Sequence, residues 1–174
     1  IKRRTAAGDH NLVDVIRTSD KTLISNSTGA EYSNSTITSF DSDGFSLSGS
    51  DGALNASSND YASWNWLANG TGSANTDGSI TSTVSANTTS GFSIVKWDST
   101  GTAGINIGHG LGQKPAMIIA KSTNIAVTNW AVYHQSLGAT KYLTLNATTA
   151  STTSATRWNN SEPTTTTFQT GSSG

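Results

Sequence analysis

No cysteine occurs among the 174 residues, so a disulfide framework and a thiolate metal site are both excluded. Charge is scarce too: ten Lys and Arg against eleven Asp and Glu leave a net charge of −1 and a charged fraction of 12%. Nucleic acids and anionic membranes are bound through dense basic surfaces. Here four of the ten basic residues are the Lys2-Arg3-Arg4 run and Lys21, too thin a set to track phosphates. No apolar run approaches the roughly 18 residues of a membrane span. Neither nucleic-acid binding nor membrane insertion is therefore expected. The chain opens on Ile1 with no leader-like segment, and is expected to be a processed or partial piece of something longer.

What is abundant is Ser, Thr and Asn, about two fifths of the chain. Such a bias can mean disorder, but disordered segments lack aromatic and β-branched apolar residues. Five Trp, four Tyr and four Phe are spread through this sequence. Thr, Trp, Tyr, Ile and Val favour strands, while Ser, Asn and Gly fill turns. The composition predicts an all-β protein with a polar exterior and a modest core.

Alternation with a period of two supports this. Trp64 and Trp66 share one face with Ala62, opposite Ser63 and Asn65, which predicts that both tryptophans point into a core. Ile80 and Val84 share a face within 79–85. Ile105, Ile107 and His109 alternate with small residues. Trp130, Val132 and His134 oppose Ala131 and Tyr133, and Leu143 and Leu145 oppose Tyr142 and Thr144. Met117–Ala120 is a continuous apolar run, the pattern of a strand covered on both faces. Asp43-Gly44, Asp51-Gly52, Asp77-Gly78 and Asn69-Gly70 supply turns between such runs. No helical apolar period of useful length is present. Short strands with polar turns predict an antiparallel β-sandwich.

The chain also repeats itself. HNLVDVIRTSDKTLISNSTGAEYSN (10–34) matches TNWAVYHQSLGATKYLTLNATTASTTS (128–154), at a shift of about 118 to 120 positions. Asn11 is set against Asn129, Lys21 against Lys141, Leu23 against Leu143, Asn26 against Asn146 and Ala30 against Ala150. Residues 37–52 match 155–174, with Phe40 against Trp158 and Phe45 against Phe168, and Lys2 matches Lys121. The reading is a partial tandem repeat: 1–72 is the C-terminal part of a first unit, and 73–174 the N-terminal and middle part of a second. Exposed strand edges are avoided in natural proteins, so further polypeptide is expected to complete both units.

Candidate sites are few. The glycines of Gly108-His109-Gly110-Leu111-Gly112 resemble a phosphate cradle. A P-loop, however, needs GxxxxGK followed by Ser or Thr, and a dinucleotide fingerprint needs a helix after its glycines. Here Lys114 leads into Pro115 and an apolar strand, so the stretch reads as a turn. Asp41-Ser42-Asp43-Gly44 resembles the start of a calcium loop without its bidentate Glu, and the matching Asn159-Asn160-Ser161-Glu162-Pro163 has lost the paired acids. His10, His109 and His134 show no metal-ligand spacing, and no acid is placed to orient a catalytic His134–Ser136 pair. The Asn-x-Ser/Thr triplets at Asn26, Asn55 and Asn146 are expected by chance from this composition. No catalytic, cofactor-binding or metal-binding residue is assigned.

HGLGQKPAMIIAKS, NWAVYHQSLGATKYLTLN and WNNSEPTTTTF, in this order, resemble a repeated domain of tail fibre and other virion structural proteins of marine tailed bacteriophages. IKRRTAAGDHNLVDVIRTSDKTLISN and YASWNW are similar to a further copy of that domain, and residues 76–97 to strands that open the next one. The resemblance implies a non-enzymatic β-sandwich module of a virion appendage, outside the cell. Its implied partners are copies of itself, other virion proteins and a host-surface glycan or receptor. It carries no catalytic residue with it. The alternative is a carbohydrate-binding or adhesin module using exposed Trp, which would require a solvent-facing aromatic in a shallow polar groove. A hydrolase, third, would need a deep pocket with a perturbed titratable pair.

Overall fold

The computed structural model describes residues 1–171. Those residues form an all-β, antiparallel fold of the sandwich type, with no helix among them. The strands, in chain order, begin with β1 (Lys2–Arg3), β2 (Asn11–Asp14), β3 (Thr18–Ile24) and β4 (Tyr32–Ser33). Next come β5 (Ile37–Phe40), β6 (Phe45–Leu47), β7 (Tyr61–Ala62) and β8 (Ser73–Asn75). They are followed by β9 (Ser82–Asn87), β10 (Phe92–Trp97), β11 (Ile105–Gly108) and β12 (Met117–Ala120). The last four are β13 (Ala131–His134), β14 (Lys141–Thr144), β15 (Thr152–Thr153) and β16 (Thr167–Thr170).

Short strands and frequent turns break the ladder into several small sheets. β2-β3-β4 and β12-β13-β14-β15 are meanders, β5-β6 is a hairpin, and β8, β9 and β10 form a sheet with β9 in the middle. β1 pairs with β7, and β11 pairs with β16 across a long stretch of sequence. A lone parallel bridge, Ile80 to Ile107, ties the β8–β10 sheet to the β11–β16 pair.

The repeat is written in the hydrogen bonds. Lys21 and Thr22 of β3 lie opposite Ser33 and Tyr32, as Lys141 and Tyr142 of β14 lie opposite Thr153 and Thr152. Leu12 faces Leu23, as Val132 faces Leu143. The Ser25 N–H donates to the His10 carbonyl at 2.9 Å, and the Leu145 N–H to the Trp130 carbonyl at 3.1 Å. The His10 N–H donates to Asn26 Oδ1, and the Trp130 N–H to Asn146 Oδ1. Residue 145 stands to 25 as 130 does to 10, a constant shift of 120. Further out, Ile1 exchanges two backbone bonds with Asn11, as Ala120 pairs with Ala131.

Two residue matches need correction in consequence. Asn129 is the counterpart of Asp9, since each accepts a bond from its asparagine partner (Asn146 or Asn26). Asn11 instead matches Ala131. Likewise Ser48 N–H to Thr36 O parallels Gly171 N–H to Arg157 O, and Asp41 N–H to Gly44 O parallels Thr164 N–H to Thr167 O. Trp158 thus occupies the place of Ile37, not of Phe40, while Phe45 does match Phe168. Ile37 and Trp158 are both buried, whereas Phe40 is exposed. The last positions of the 155–174 match, 172–174, lie outside the described residues.

Apolar burial is split among small clusters rather than pooled in one core. Ala131, Tyr133, Ala139 and Trp158 pack together beneath Ile118, Ala120 and Tyr142, with the Tyr133 and Trp158 rings edge to face at 6.0 Å. Leu23, Ile37 and Leu54 are buried in the first repeat, and Val84, Ile107 and Phe168 in the second. Trp97 stands edge-on to Phe168 at 5.6 Å.

Other sequence expectations fail locally. Trp64 and Trp66 are 63% and 64% exposed and belong to no strand, so they are not core residues. Their segment has no ladder partner and rests beside the β9–β10 hairpin, held by the Asn69 N–H on Ser85 Oγ and by Ser90 Oγ on the Leu67 carbonyl. β12 is an edge strand rather than one covered on both faces: Met117 and Ile119 are exposed, while Ile118 and Ala120 face the core. The strand expected from 79 begins at Ser82, and Leu145 lies beyond the end of β14 and is exposed.

Candidate functional site

The glycine-rich stretch connects β11 to β12 by bends. Gly110 and Gly112 take φ of +70° and +69°, which glycine adopts without strain. A side chain at Gly110 would also press on Val84 Cγ1, so this position is closed to other residues. His109 is buried at 2% exposure. Its Nδ1 accepts the Leu111 N–H at 3.2 Å, and its Nε2 lies 3.3 Å from the Thr164 carbonyl. Burial lowers its pKa below the ordinary histidine value, so it is a neutral ring that pins the turn to the segment before β16. The next element is a strand, so no helix N-terminus is on hand to bind a phosphate.

Lys114 of the same loop reaches Glu162, with Nζ to Oε2 at 2.8 Å. The Tyr133 hydroxyl donates to the same oxygen at 2.6 Å, and the Ala139 N–H donates to Oε1 at 2.7 Å. Lys114 foremost, then Tyr133, holds the Glu162 carboxyl below its usual range. Burial, reinforced by Glu162, pushes the Tyr133 phenol well up. Glu162 is thus a latch joining the β11–β12 loop, β13 and the turn before β14. Sequence reading found Glu162 only as a turn residue. Its signal was its isolation: it is one of two acids after Asp77, the other being Asp98.

Asp41-Ser42-Asp43-Gly44 closes the β5–β6 hairpin. The Asp41 carboxylate accepts bonds from Ser46 Oγ at 2.7 Å and Ser39 Oγ at 2.8 Å, which lower its pKa. Its oxygens therefore brace the turn. No group of three or more His, Asp or Glu able to hold a metal occurs among the described residues. His134 accepts the Ser136 N–H on Nδ1, which engages the ring with the backbone rather than with the serine hydroxyl.

Two surface features remain. The first is the exposed segment Trp64-Asn65-Trp66-Leu67, where Trp66 stacks on Phe92 of β10 at 6.0 Å and 24°. The second is a cleft of about 240 Å³ between the two repeats. It is lined by His10, Ser25 and Asn26 of the first and by 145–148 of the second. Beside it, Trp130 Nε1 donates to the carbonyls of Ile24 and Ser27 at 3.0 and 3.1 Å. Under the 120-position shift His10 is the counterpart of Trp130, and 144–147 of 24–27. The smaller imidazole leaves open on one side what the indole fills on the other. Nothing in the sequence marked this cleft while Asn11 was set against Asn129.

All of the chain, residues 1–174, matches a family described as a domain of unknown function, DUF7483. The chain belongs to this family. No curated protein and no solved structure matches it. Membership of DUF7483 thus names a sequence class without naming an activity.

Proposed function

We propose that this DUF7483 chain is a non-enzymatic structural module of a phage virion appendage, a tail fibre or similar part, acting outside the cell. The observation that carries this reading is the duplicated ladder: one pattern of strands and backbone bonds is laid down twice along the chain. Repeat-built chains extend by stacking like units, each burying surface against its neighbours. The apolar edge of β12, bearing Met117 and Ile119, suits such contacts. Polar turns held by Asp41, Glu162 and the Asn26 and Asn146 side chains give each unit rigidity without a large core. The resemblance to virion structural repeats gives the same reading. The test is to band phage particles encoding this chain by density and probe them with antibodies against it. The chain should travel with intact particles in several copies; its confinement to the particle-free fraction would refute the proposal.

A second reading, a carbohydrate-binding or adhesin surface, is favoured by one observation. Trp64 and Trp66 face solvent, and Trp66 is propped by Phe92. Exposed aromatic faces stack on the apolar faces of sugars. A glycan array reads this directly: binding lost in Trp64→Ala and Trp66→Ala supports it, and no retained glycan rules it out.

A further inference from the structure

The hydrogen-bond equivalence between the repeats marks one strand edge as incomplete. From Asp41 to Ser48 the first repeat matches Thr164 to Gly171 at a shift of 123, as 41 and 44 stand to 164 and 167. β6 is therefore the counterpart of β16. In β16 the bonding alternates along the strand. The Thr167 carbonyl and the Gly171 N–H turn toward 157–164, while Thr166 and Thr170 accept from His109 and Gly104 on the β11 side. Phe168 and Thr170 lie opposite Ile107 and Ile105.

β6 alternates in the same way. The Gly44 carbonyl and the Ser48 N–H face β5 and the residues beside it, so the backbone groups of Phe45 and Leu47 face outward. β5 is the partner strand of β6 in its two-stranded sheet, and no strand among the described residues pairs with the other edge of β6 as β11 does with β16. The side chains register the difference. Phe168 is buried at 4% exposure, whereas Phe45 is half-buried, and Leu47 and nearby Phe40 are exposed at 37% and 39%.

We propose that the outer edge of β6 is a strand acceptor, and that its occupant is a β11-type strand from a further repeat unit of this same fold. The chain itself supplies the template, since β11 on β16 shows the sequence such an edge accepts. Gly104-Ile105-Asn106-Ile107-Gly108 alternates small or polar residues with isoleucines that can cover Phe45 and Leu47. The register follows from the shift, with the Ile107 equivalent opposite Phe45 and the Ile105 equivalent opposite Leu47. Strand addition of this kind gains affinity from backbone bonds and selectivity from alternate side chains.

The proposal rests on reading the chain as repeat-built assembly material, yet its test does not depend on particles. A second copy of residues 73–119 is joined directly ahead of Ile1 of the full chain, and amide exchange at Phe45 and Leu47 is followed by NMR. In parallel, a peptide of residues 102–110 is titrated into the unaltered chain. Exchange at both amides should slow by roughly a hundredfold in the joined protein and measurably with saturating peptide. The slowing should vanish when Ile105→Pro and Ile107→Pro are placed in the added segment, because each removes an N–H from the new ladder. These changes leave the original chain intact, so loss of its fold cannot mimic the result. Unchanged exchange in both formats, or slowing that survives the prolines, overturns the proposal. Absence of the chain from particles would instead overturn the structural-module reading and leave the edge standing.

Discussion

Glu162 gathers three donors although its side chain is 46% exposed, so its ion pair with Lys114 is screened by solvent and worth little. The larger consequence lies with Tyr133, which is buried and would be left with an orphaned hydroxyl. Glu162→Ala should cost about 1–3 kcal/mol, read by chemical denaturation. A carboxyl whose pKa is lowered by folding stabilises above its ordinary value and loses that contribution as pH falls through the folded value. His109 adds a second acid-sensitive step. Its folded pKa lies below the ordinary 6.5, so the unfolded chain takes up a proton first and stability falls as pH drops through 6.5 toward the folded value. A Tm profile against pH should therefore decline in two stages, the upper flattened in His109→Gln and the lower in Glu162→Gln. A profile unchanged by both substitutions would contradict these assignments. Thr22 offers a test of opposite sign. It is fully buried, and its hydroxyl has no partner among the described residues. Thr22→Val should thus stabilise by about 1 kcal/mol in the same denaturation assay.

At the level of elements, the contact between the repeats is asymmetric because Trp130 and His10 hold matching places. Trp130→Ala should cost about 3–5 kcal/mol, since it empties a buried site and frees two carbonyls that the indole now satisfies. His10→Trp should fill the 240 Å³ cleft, bring an indole N–H toward the carbonyls of 144–147 and raise Tm by several degrees. A lower Tm in His10→Trp would show that the two sides of the contact are not equivalent. The exposed edge of β12 gives a prediction about association: Met117→Lys with Ile119→Lys should leave Tm nearly unchanged and reduce concentration-dependent self-association in sedimentation. Strand positions were largely legible, because alternation and turn residues are local signals: β11, β12, β13 and β14 fall where the pattern put them. Which face is covered was not. Period two says that Trp64 and Trp66 point the same way, but only the rest of the fold decides what lies over them. Met117–Ala120 failed for a related reason, as a continuous apolar run describes a strand's chemistry and not its place at the edge of a sheet.

For the molecule as a whole, the duplication was the most informative thing in the sequence, and it was read with a drifting shift. Lys21 with Lys141 and Asn26 with Asn146 gave the right spacing, while Asn11 with Asn129 and Phe40 with Trp158 came from identity or aromatic likeness. Backbone bonds resolve these cases because they depend on register, which a conserved-looking asparagine does not fix. The Glu162 latch was not legible, since Lys114, Tyr133, Ala139 and Glu162 meet only through tertiary packing. The glycine-rich loop was legible as a turn, because a phosphate cradle needs a following helix and the sequence offers a strand. Together these features describe a duplicated β-unit with an apolar strand edge and two tryptophans facing solvent, and the proposed structural role rests on them. Electron cryomicroscopy of phage particles encoding this chain tests that account most directly. The account predicts appendage density that fits the duplicated β-unit in successive copies, with the β6 edge covered by a neighbouring strand. Intact particles whose resolved appendages contain no density fitting this fold would contradict it.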